Sequence, residues 1–286
     1  MRLATYATAA DFLAAVGLTL AEHEAEHHLV LGVAEAATTG HAPNDNMFLA
    51  SVHDARGLAL AALMTHGYPL LLASDRTDVT SASALLWDTL DAEQRLPRFV
   101  IGTIGQVERA VEQWTRASGG VAKVAMRQRS YKLASLDPLP PTSGRLRVAT
   151  SEDLDLVAEW ISHFEAEALA NIVSRSSKAS AARRIAAGEI HLWCDPEPRT
   201  MAASARPTKR AIAVNGVYTP REWRRRGYAT ACVAALSELL LQRGFELCVL
   251  YTDLSNPTSN SIYTQIGYRP LRDFLMFELS ADAPHG

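Results

Sequence analysis

A short proline-rich break divides the chain and limits what it can fold into. Residues 137–144 read DPLPPTSG, and three prolines, a serine and a glycine in so short a stretch resist both helix and strand. The chain has 286 residues, a length that suits two domains of ordinary size. We therefore predict one domain over 1–136, a linker over 137–144 and a second domain over 145–286.

The two halves carry the same order of strand-like and helix-like segments. In the second half the order is the strands EIHLWCD, RTMAASA and RAIAVNGVY, a helix over about 227–243, the strand FELCVLYTD, a helix over about 257–266 and the strand RDFLMFEL. In the first half the corresponding segments are NMFLASV, GLALAALM, PLLLAS, SASALLWDTLDA, RFVIG, IGQVERAVEQWTRA and VAKVAMRQRSYKL. Two copies are too few for a solenoid. The pattern predicts a tandem α+β fold, in which each domain has a mixed, mostly antiparallel sheet flanked by helices.

Composition and charge exclude several classes of protein. The net charge of -3 and the pI near 6.3 argue against nucleic acid or an anionic membrane as a partner. The three cysteines form no CxxC pair, so neither a disulfide framework nor a cysteine-based zinc site is indicated. No apolar run reaches the roughly 18 residues of a membrane span, and the N-terminal stretch lacks a signal-peptide core. We therefore expect a cytoplasmic protein, without a metal.

The stretch REWRRRGYATACVAALSELL, residues 221–240, places three arginines at the start of a predicted helix. Cations are usually unfavourable there, because a helix N-terminus carries partial positive charge. Gly227 lets the backbone turn and lets a ligand approach, and the free N–H groups of the first helical turn point into one spot. These features suit a phosphate or pyrophosphate, and a solvated basic turn is the alternative. Neither a P-loop nor a Rossmann glycine motif is present.

Two motifs in the second half resemble those of one enzyme superfamily. The residues from Arg224 to Ala229, RRRGYA, resemble the R/Q-x-x-G-x-G/A signature of the GNAT superfamily of acyl-CoA-dependent N-acetyltransferases. Further on, TDLSNPTSNSIYTQIGY places Asn256, Tyr263, Gly267 and Tyr268 where the second GNAT signature has an Asn, a Tyr and a Gly-aromatic turn. The resemblance is firm over about 209–280, looser from 145 onward, and rests on element order alone over 1–136.

The resemblance implies acetyl-CoA as co-substrate and a site for it in the second half. Backbone N–H groups from Arg225 to Thr230 would hold the pyrophosphate, and the end of the strand RAIAVNGVY would splay from its neighbour to hold the pantetheine arm. The residues implied in acetyl-CoA binding are Val217, Tyr218, Arg224, Arg225, Arg226, Gly227, Tyr228, Ala229, Thr230 and Asn256.

The same resemblance implies the catalytic groups. Tyr263 would protonate the departing thiolate, although a core tyrosine with a bonded hydroxyl is the alternative. Many GNAT enzymes place a carboxylate on the strand before the arginine turn, but RAIAVNGVY contains none. A base can act through water, so Glu165, Glu167 and Asp253 are candidates for the base or for recognition of a cationic amine. The alternative for each of these three residues is an ordinary solvated carboxylate without a catalytic role.

The expected reaction is acetyl transfer to a primary amine of a small molecule or peptide, by a monomer or homodimer. The first half lacks both signatures and is predicted to be a degenerate GNAT-like domain that shapes the acceptor cleft, covers a sheet edge or makes a dimer contact. The main alternative is a non-enzymatic acyl-CoA sensor or regulator.

A remote alternative is a zinc hydrolase, because residues 23–27 read HEAEH and match H-E-x-x-H. We interpret LTLAEHEAEHHLVLGVAEAA as one amphipathic helix whose histidines lie on the polar side, and no third ligand is marked nearby.

Overall fold

The computed structural model describes residues 1–40, 46–168 and 177–280. Up to residue 133 the elements are β1 (Arg2–Thr5), α1 (Ala9–Ala21), α2 (Glu24–Thr38), β2 (Phe48–Asp54), β3 (Gly57–Met64), β4 (Leu70–Ala73), α3 (Thr80–Ala92), β5 (Phe99–Thr103), α4 (Ile104–Ser118) and β6 (Val121–Leu133). From residue 145 they are β7 (Arg145–Val148), α5 (Leu154–Ala168), α6 (Lys178–Ala186), β8 (Ile190–Cys194), β9 (Pro198–Ala205), β10 (Ala211–Tyr218), α7 (Tyr228–Gln242), β11 (Leu247–Asp253), α8 (Pro257–Ile266) and β12 (Arg269–Ser280).

The chain forms two compact units, and the division follows packing rather than sequence order. The first unit contains Met1–Ser130, Asp253–Ser255 and the chain from Leu271 onward, and the second contains Tyr131–Thr252 and Asn256–Pro270. The proline-rich stretch 137–144 lies within the second unit. The division at this stretch remains our prediction for where the two copies of the sequence pattern meet.

In the first unit the sheet has the order β1-β2-β3-β4-β5-β12-β6. The registered pairs are antiparallel except β4 with β5, which run parallel through Leu70–Val100 and Leu71–Ile101. Its largest core packs α3 and α4 against the sheet through Leu86, Leu90 and Trp114. Long apolar runs such as LLLA in β4 are buried throughout, as is typical of strands covered on both faces.

The last strand of the chain is a core strand of the first unit. Residues Phe274 to Glu278 of β12 pair antiparallel with Thr103 to Phe99 of β5. Leu275 is 1% exposed and packs in the same core as Leu86 and Trp114. The first unit is therefore closed by residues that lie at the opposite end of the sequence.

In the second unit the sheet has the order β11-β10-β9-β8-β7, and the registered pairs are antiparallel except β10 with β11. Side chains alternate between the two faces of a strand. Ile212 and Val214 pack toward α7, and Leu192 and Ala203 pack toward α5 and α6. The helices therefore cover both faces, and α7 starts at the carboxyl end of β10.

The predicted strands and helices of both halves are confirmed, but the single helix predicted over LTLAEHEAEHHLVLGVAEAA is wrong. The chain breaks at Glu22 and His23, where α1 ends and α2 begins. His27 and His28 are buried rather than on a polar face. The break lets the two helices pack on each other as a hairpin, with each burying its own apolar stripe, and neither Gly nor Pro marks it in the sequence.

No helix among residues 1–40, 46–168 and 177–280 is both long enough and apolar enough to span a bilayer.

The position of β12 predicts the effect of Leu275→Ala. The truncation leaves a cavity in the first unit's core, so the free energy of unfolding should fall by about 2–5 kcal/mol. The matched control is Leu18→Ala, because Leu18 is 88% exposed in α1 and its truncation should change stability by less than about 0.5 kcal/mol. Urea unfolding followed by circular dichroism measures both, and equal midpoints would contradict the placement of β12.

Candidate functional site

The gap between β10 and β11 is the main structural feature of the second unit. Their parallel register runs from Ala211–Leu247 to Ala213–Val249, although both strands continue beyond it. On its other side, β10 has a register shift against β9 between Asn215 and Tyr218. Gly216 lies in this bulge with φ +58°, a conformation that glycine adopts readily. The carboxyl end of β10 thus turns away from the ladder with β11 and leaves backbone groups for a ligand.

The turn after β10 presents backbone N–H groups at the start of α7. Arg225 (φ +62°) and Gly227 (φ +80°) are both left-handed. Gly227 occupies the N-cap position and provides no side-chain cap, so the first N–H groups of α7, from Tyr228 onward, have no capping oxygen from it. Uncapped N–H groups and the helix dipole together favour an anion at this point.

The side chains of Arg224 and Arg226 contact different neighbours. Arg224 donates to the carbonyl of Thr219 (2.8 Å) and to the Glu167 carboxylate (2.8 Å). The Arg226 guanidinium lies over the Trp223 ring, 4.8 Å from its centroid. The geometry of the turn therefore places backbone N–H groups at the centre of the candidate anion site, while Arg224 fixes a carboxylate.

The proline-rich stretch lies against this turn. A Cβ at Gly227 would stand 3.4 Å from Oγ1 of Thr142. Ser143 and Tyr228 both donate to the Asp195 carboxylate, at 2.6 and 2.8 Å, and these hydrogen bonds lower the pKa of Asp195. The stretch that we interpreted as a linker is thus fixed to the first residue of α7.

Tyr263 lies in the core on the α7 side of the second unit. Its side chain is 8% exposed and packs beside the rings of Tyr131 (6.3 Å) and Tyr268 (6.0 Å). Burial raises the pKa of Tyr263 to about 12, so its hydroxyl stays protonated at neutral pH. Asn256 is the N-cap of α8 and accepts a hydrogen bond from the Ser259 N–H (3.0 Å).

The two candidate glutamates of α5 cannot face the same point. They are two residues apart, which is about 200° around a helix. Glu167 follows Trp160 and His163 along one face, and both of these rings pack beside Tyr218, at 6.2 and 5.9 Å. Burial, and secondarily the charge of Glu167, raises the pKa of Tyr218. The structure therefore brings Glu167 to the end of β10.

Trp160 and His163 were missed in the sequence, where helical periodicity is their only signal.

Asp253, the third candidate carboxylate, accepts a hydrogen bond from the Ser255 N–H (2.8 Å), as in an ordinary turn.

Comparison with known proteins identifies the fold. Residues 197–275 match the family model described as FR47-like protein. A solved Drosophila structure superposes with a TM-score of 0.70 at 12% identity, over 98% of this chain and 99% of that one. A GCN5-related N-acetyltransferase from Sphaerobacter thermophilus gives 0.62 at 15% identity, over 96% and 94%. A tandem GNAT protein from the clavulanic acid biosynthesis pathway gives 0.54 at 13% identity, over 99% of each chain. A search of curated protein sequences finds no match.

The chain has the fold of the GNAT acetyltransferases. The predicted resemblance to the superfamily and the predicted tandem α+β fold are confirmed. The FR47-like match contains both segments that carry the GNAT signatures, the arginine turn and the segment from Asn256 to Tyr268. The roles of single residues remain predictions.

In the first unit the polar groups that follow β4 bond to other groups of the same unit. Arg76, which follows β4, donates to both oxygens of Asp54, at 2.6 and 2.9 Å. Gln106 of α4 donates to the carbonyls of Ser74 (2.5 Å) and Arg76 (2.9 Å) just beyond the end of β4. The first unit therefore uses internally the polar groups that follow its parallel strand.

The H-E-x-x-H match does not form a metal site. His23 precedes α2 with non-helical backbone angles, so it does not share a regular helical face with His27. His27 instead hydrogen-bonds Asp75 through Nε2 (2.8 Å). Among the described residues, no three His, Cys, Asp or Glu side chains are placed to hold a metal ion.

The uncapped turn predicts that Gly227→Val abolishes acetyl-CoA binding. Valine at φ +80° is strained, and its side chain would fill the space beside Thr142 that an anion needs. Gly244→Val is the matched control, because Gly244 follows the other end of α7 at φ +102° with nothing within 4 Å of an added Cβ. Both variants should lose stability, and calorimetry should show lost binding only for Gly227→Val. Equal affinities would remove the arginine turn from the site.

Proposed function

We propose that the second unit binds acetyl-CoA and transfers its acetyl group to a primary amine of a small molecule or peptide. The gap between β10 and β11, which leads to the uncapped N-terminus of α7, carries this proposal. In our assignment the N–H groups from Arg225 to Thr230 bind the pyrophosphate, with the charge of the flanking arginines favouring the anion. Val217, Tyr218 and Asn256 border the path of the pantetheine arm.

In the proposed reaction the amine nitrogen attacks the thioester carbonyl directly. A C–N bond forms, the C–S bond breaks, the amine loses one proton and the thiolate gains one, so an amide and free CoA are the products. Negative charge develops on the carbonyl oxygen during attack. A backbone N–H from the bulge between Asn215 and Tyr218 would stabilise that charge, because such a donor is already in place and needs no reorganisation.

Tyr263 is our candidate for the acid that protonates the thiolate. Its raised pKa keeps the proton on the hydroxyl until it is needed. In water a thiolate is a weaker base than a phenolate, so proton transfer from tyrosine to the thiolate is unfavourable there. Low-polarity surroundings disfavour the anionic thiolate as well, and this raises its affinity for the proton.

The acid assignment predicts the kinetics of Tyr263→Phe. Loss of the hydroxyl should lower kcat by about 10²- to 10⁴-fold with little change in the KM for acetyl-CoA, because the proton is needed only as charge builds on sulfur. Tyr268→Phe is the matched control: its hydroxyl bonds Ser237 (2.8 Å) in the core, so its loss should lower the melting temperature and leave kcat near wild type. Pre-steady-state rates should accompany kcat, in case product release limits turnover. A wild-type chemical rate in Tyr263→Phe would refute the assignment.

Glu167 is the better candidate for the base. Arg224 holds its carboxylate at the end of β10, where Tyr218, Trp160 and His163 also lie. A carboxylate in this position can take the amine proton through a water molecule, or attract the cationic amine before attack. Glu165 remains the second candidate, on a different face of α5.

The pair Glu167→Gln and Glu165→Gln separates the two candidates. If Glu167 is the base, Glu167→Gln should lower kcat/KM for the amine by about 10²-fold or more and remove the low-pH limb of its pH profile. Glu165→Gln should leave kcat/KM for the amine and its pH profile unchanged. The reverse pattern would assign the role to Glu165, and two wild-type profiles would exclude α5 carboxylates as the base.

The alternative, an acyl-CoA-binding sensor, has two observations in its favour. The Tyr263 side chain is only 8% exposed, and β10 has no carboxylate of its own. An assay of acetyl-CoA turnover with a broad amine panel, run beside calorimetric binding, discriminates: binding without turnover on any amine would favour the sensor.

A further inference from the structure

Arg206, in the loop between β9 and β10, has an unfavourable backbone conformation. Its φ is +52°, in the left-handed region that non-glycine residues rarely adopt. It also precedes Pro207, whose ring further restricts the backbone of the residue before it. Such a conformation costs about 1–3 kcal/mol and persists where the surroundings require it, often at binding sites.

One nitrogen of the Arg206 guanidinium is buried without a partner in the part of the chain that the structure describes. Its Nε is inaccessible to solvent and has no hydrogen-bond partner among the described residues. Burial is the main cause that lowers the pKa of Arg206; the charge of Arg184 also lowers it, whereas Tyr251 and Glu189 act in the opposite direction. The Glu189 carboxylate accepts a hydrogen bond from Arg184 (2.9 Å). The Nε of Arg206 therefore has no acceptor among the described residues, and a buried donor without an acceptor is costly.

This cluster lies on the α5 and α6 side of the gap between β10 and β11. Arg184 of α6 donates to Oδ1 of Asn215 (3.3 Å), at the start of the bulge in β10. Tyr251 of β11 is near enough to affect the pKa of Arg206. Since Cys248 and Leu250 pack toward α7, Tyr251 lies on the opposite face of its strand. The hydrogen bond to Asn215 thus places Arg184 beside the same gap, three residues along β10 from Tyr218.

We propose that Arg206, with Arg184, binds a carboxylate of the amine acceptor, so that the acceptor is an amino acid or a related amino-carboxylic acid. This inference rests on the proposed acyl transfer. A carboxylate would supply the missing anion and accept hydrogen bonds from both guanidinium groups, and an arginine fork matches the geometry of its two oxygens. The amine of the same molecule would then extend toward the bulge in β10. Binding of substrate would offset the cost of burying Arg206.

The first test compares matched acceptors. We would measure kcat/KM with acetyl-CoA for a panel of amino acids and for the amide of each, which keeps the side chain and replaces the carboxylate by a neutral group. Both values would be expressed per concentration of unprotonated amine, because the amide also lowers the pKa of the amine. The value of kcat/KM should be about 10- to 100-fold higher for the acids than for their amides, the range expected for hydrogen bonds to a charged group. Amides that match or exceed their acids throughout the panel would overturn the inference and leave the proposed acyl transfer intact.

The second test assigns the preference to Arg206. Arg206→Gln should raise KM for the acids with kcat largely kept, leave the amides unchanged, and not lower the melting temperature, because it removes a buried charge. Arg206→Lys should restore part of the preference. Lys209→Gln is the matched control, since Lys209 is exposed in the same loop and should keep the wild-type preference. A wild-type preference in Arg206→Gln would contradict the assignment.

A binding measurement keeps the inference testable if no amine is acetylated. Thermal shifts in the presence of CoA would be recorded with N-acetyl amino acids and with their amides, for wild type and Arg206→Gln. A larger shift for the acids that disappears in Arg206→Gln supports the carboxylate site even where turnover fails. Equal shifts would refute it, whereas a wild-type chain that neither binds acetyl-CoA nor acetylates any amine contradicts the proposed function itself.

Discussion

The parallel ladder between β10 and β11 ends at Ala213 and Val249, and the candidate site depends on that early end. A continuous ladder would satisfy the backbone groups of both strands and leave no room between them. Because β10 bulges at Gly216 and turns away, its last residues become available to a ligand, and the chain arrives at the N-terminus of α7 without a capping side chain. The features of the second unit that we assign to acyl transfer follow from this divergence.

The two units share the order of their elements but differ in the side chains beside their short parallel ladders. In the first, β4 and β5 also pair in parallel over a short register, but Gln106 donates to carbonyls that follow β4, and Arg76 pairs with Asp54 of β2. In the second, the arginines of the turn bind neighbours around its rim, such as Glu167 and Trp223. The difference lies in a few side chains and not in the order of the elements.

Backbone strain is concentrated near the proposed ligand contacts of the second unit. Two of its arginines have positive φ, Arg225 in the turn before α7 and Arg206 in the loop before β10. Each lies where an anion is proposed, the pyrophosphate at one and an acceptor carboxylate at the other. Strain at such points is tolerated when function needs a particular backbone direction, and it is offset by the packed cores elsewhere.

Local patterns in the sequence were sufficient for most elements and for the arginine turn. The apolar spacing of α7 and the glycine at its start involve residues close together in the chain, so composition and periodicity predict them. The same applies to Asn256 at the cap of α8 and Tyr263 within it, whose spacing carried the GNAT resemblance. The break between α1 and α2 failed to appear because no Gly or Pro marks it, and packing of the hairpin decided it.

Tertiary structure alone decided which distant residues meet. Arg224 and Glu167 are 57 positions apart, and nothing local to either identifies the other. β12 closes the first unit because its apolar face fits beside β5, which its sequence cannot specify. In the sequence, Arg206 stands in ARPTKR and is typical of an exposed turn, yet its Nε is inaccessible to solvent and has no partner among the described residues. The sequence by itself determined the elements, the tandem plan and the turn that begins α7, because those depend on neighbours in the chain. The folded structure decided the burial and pairing of charges, because those depend on which surfaces come together.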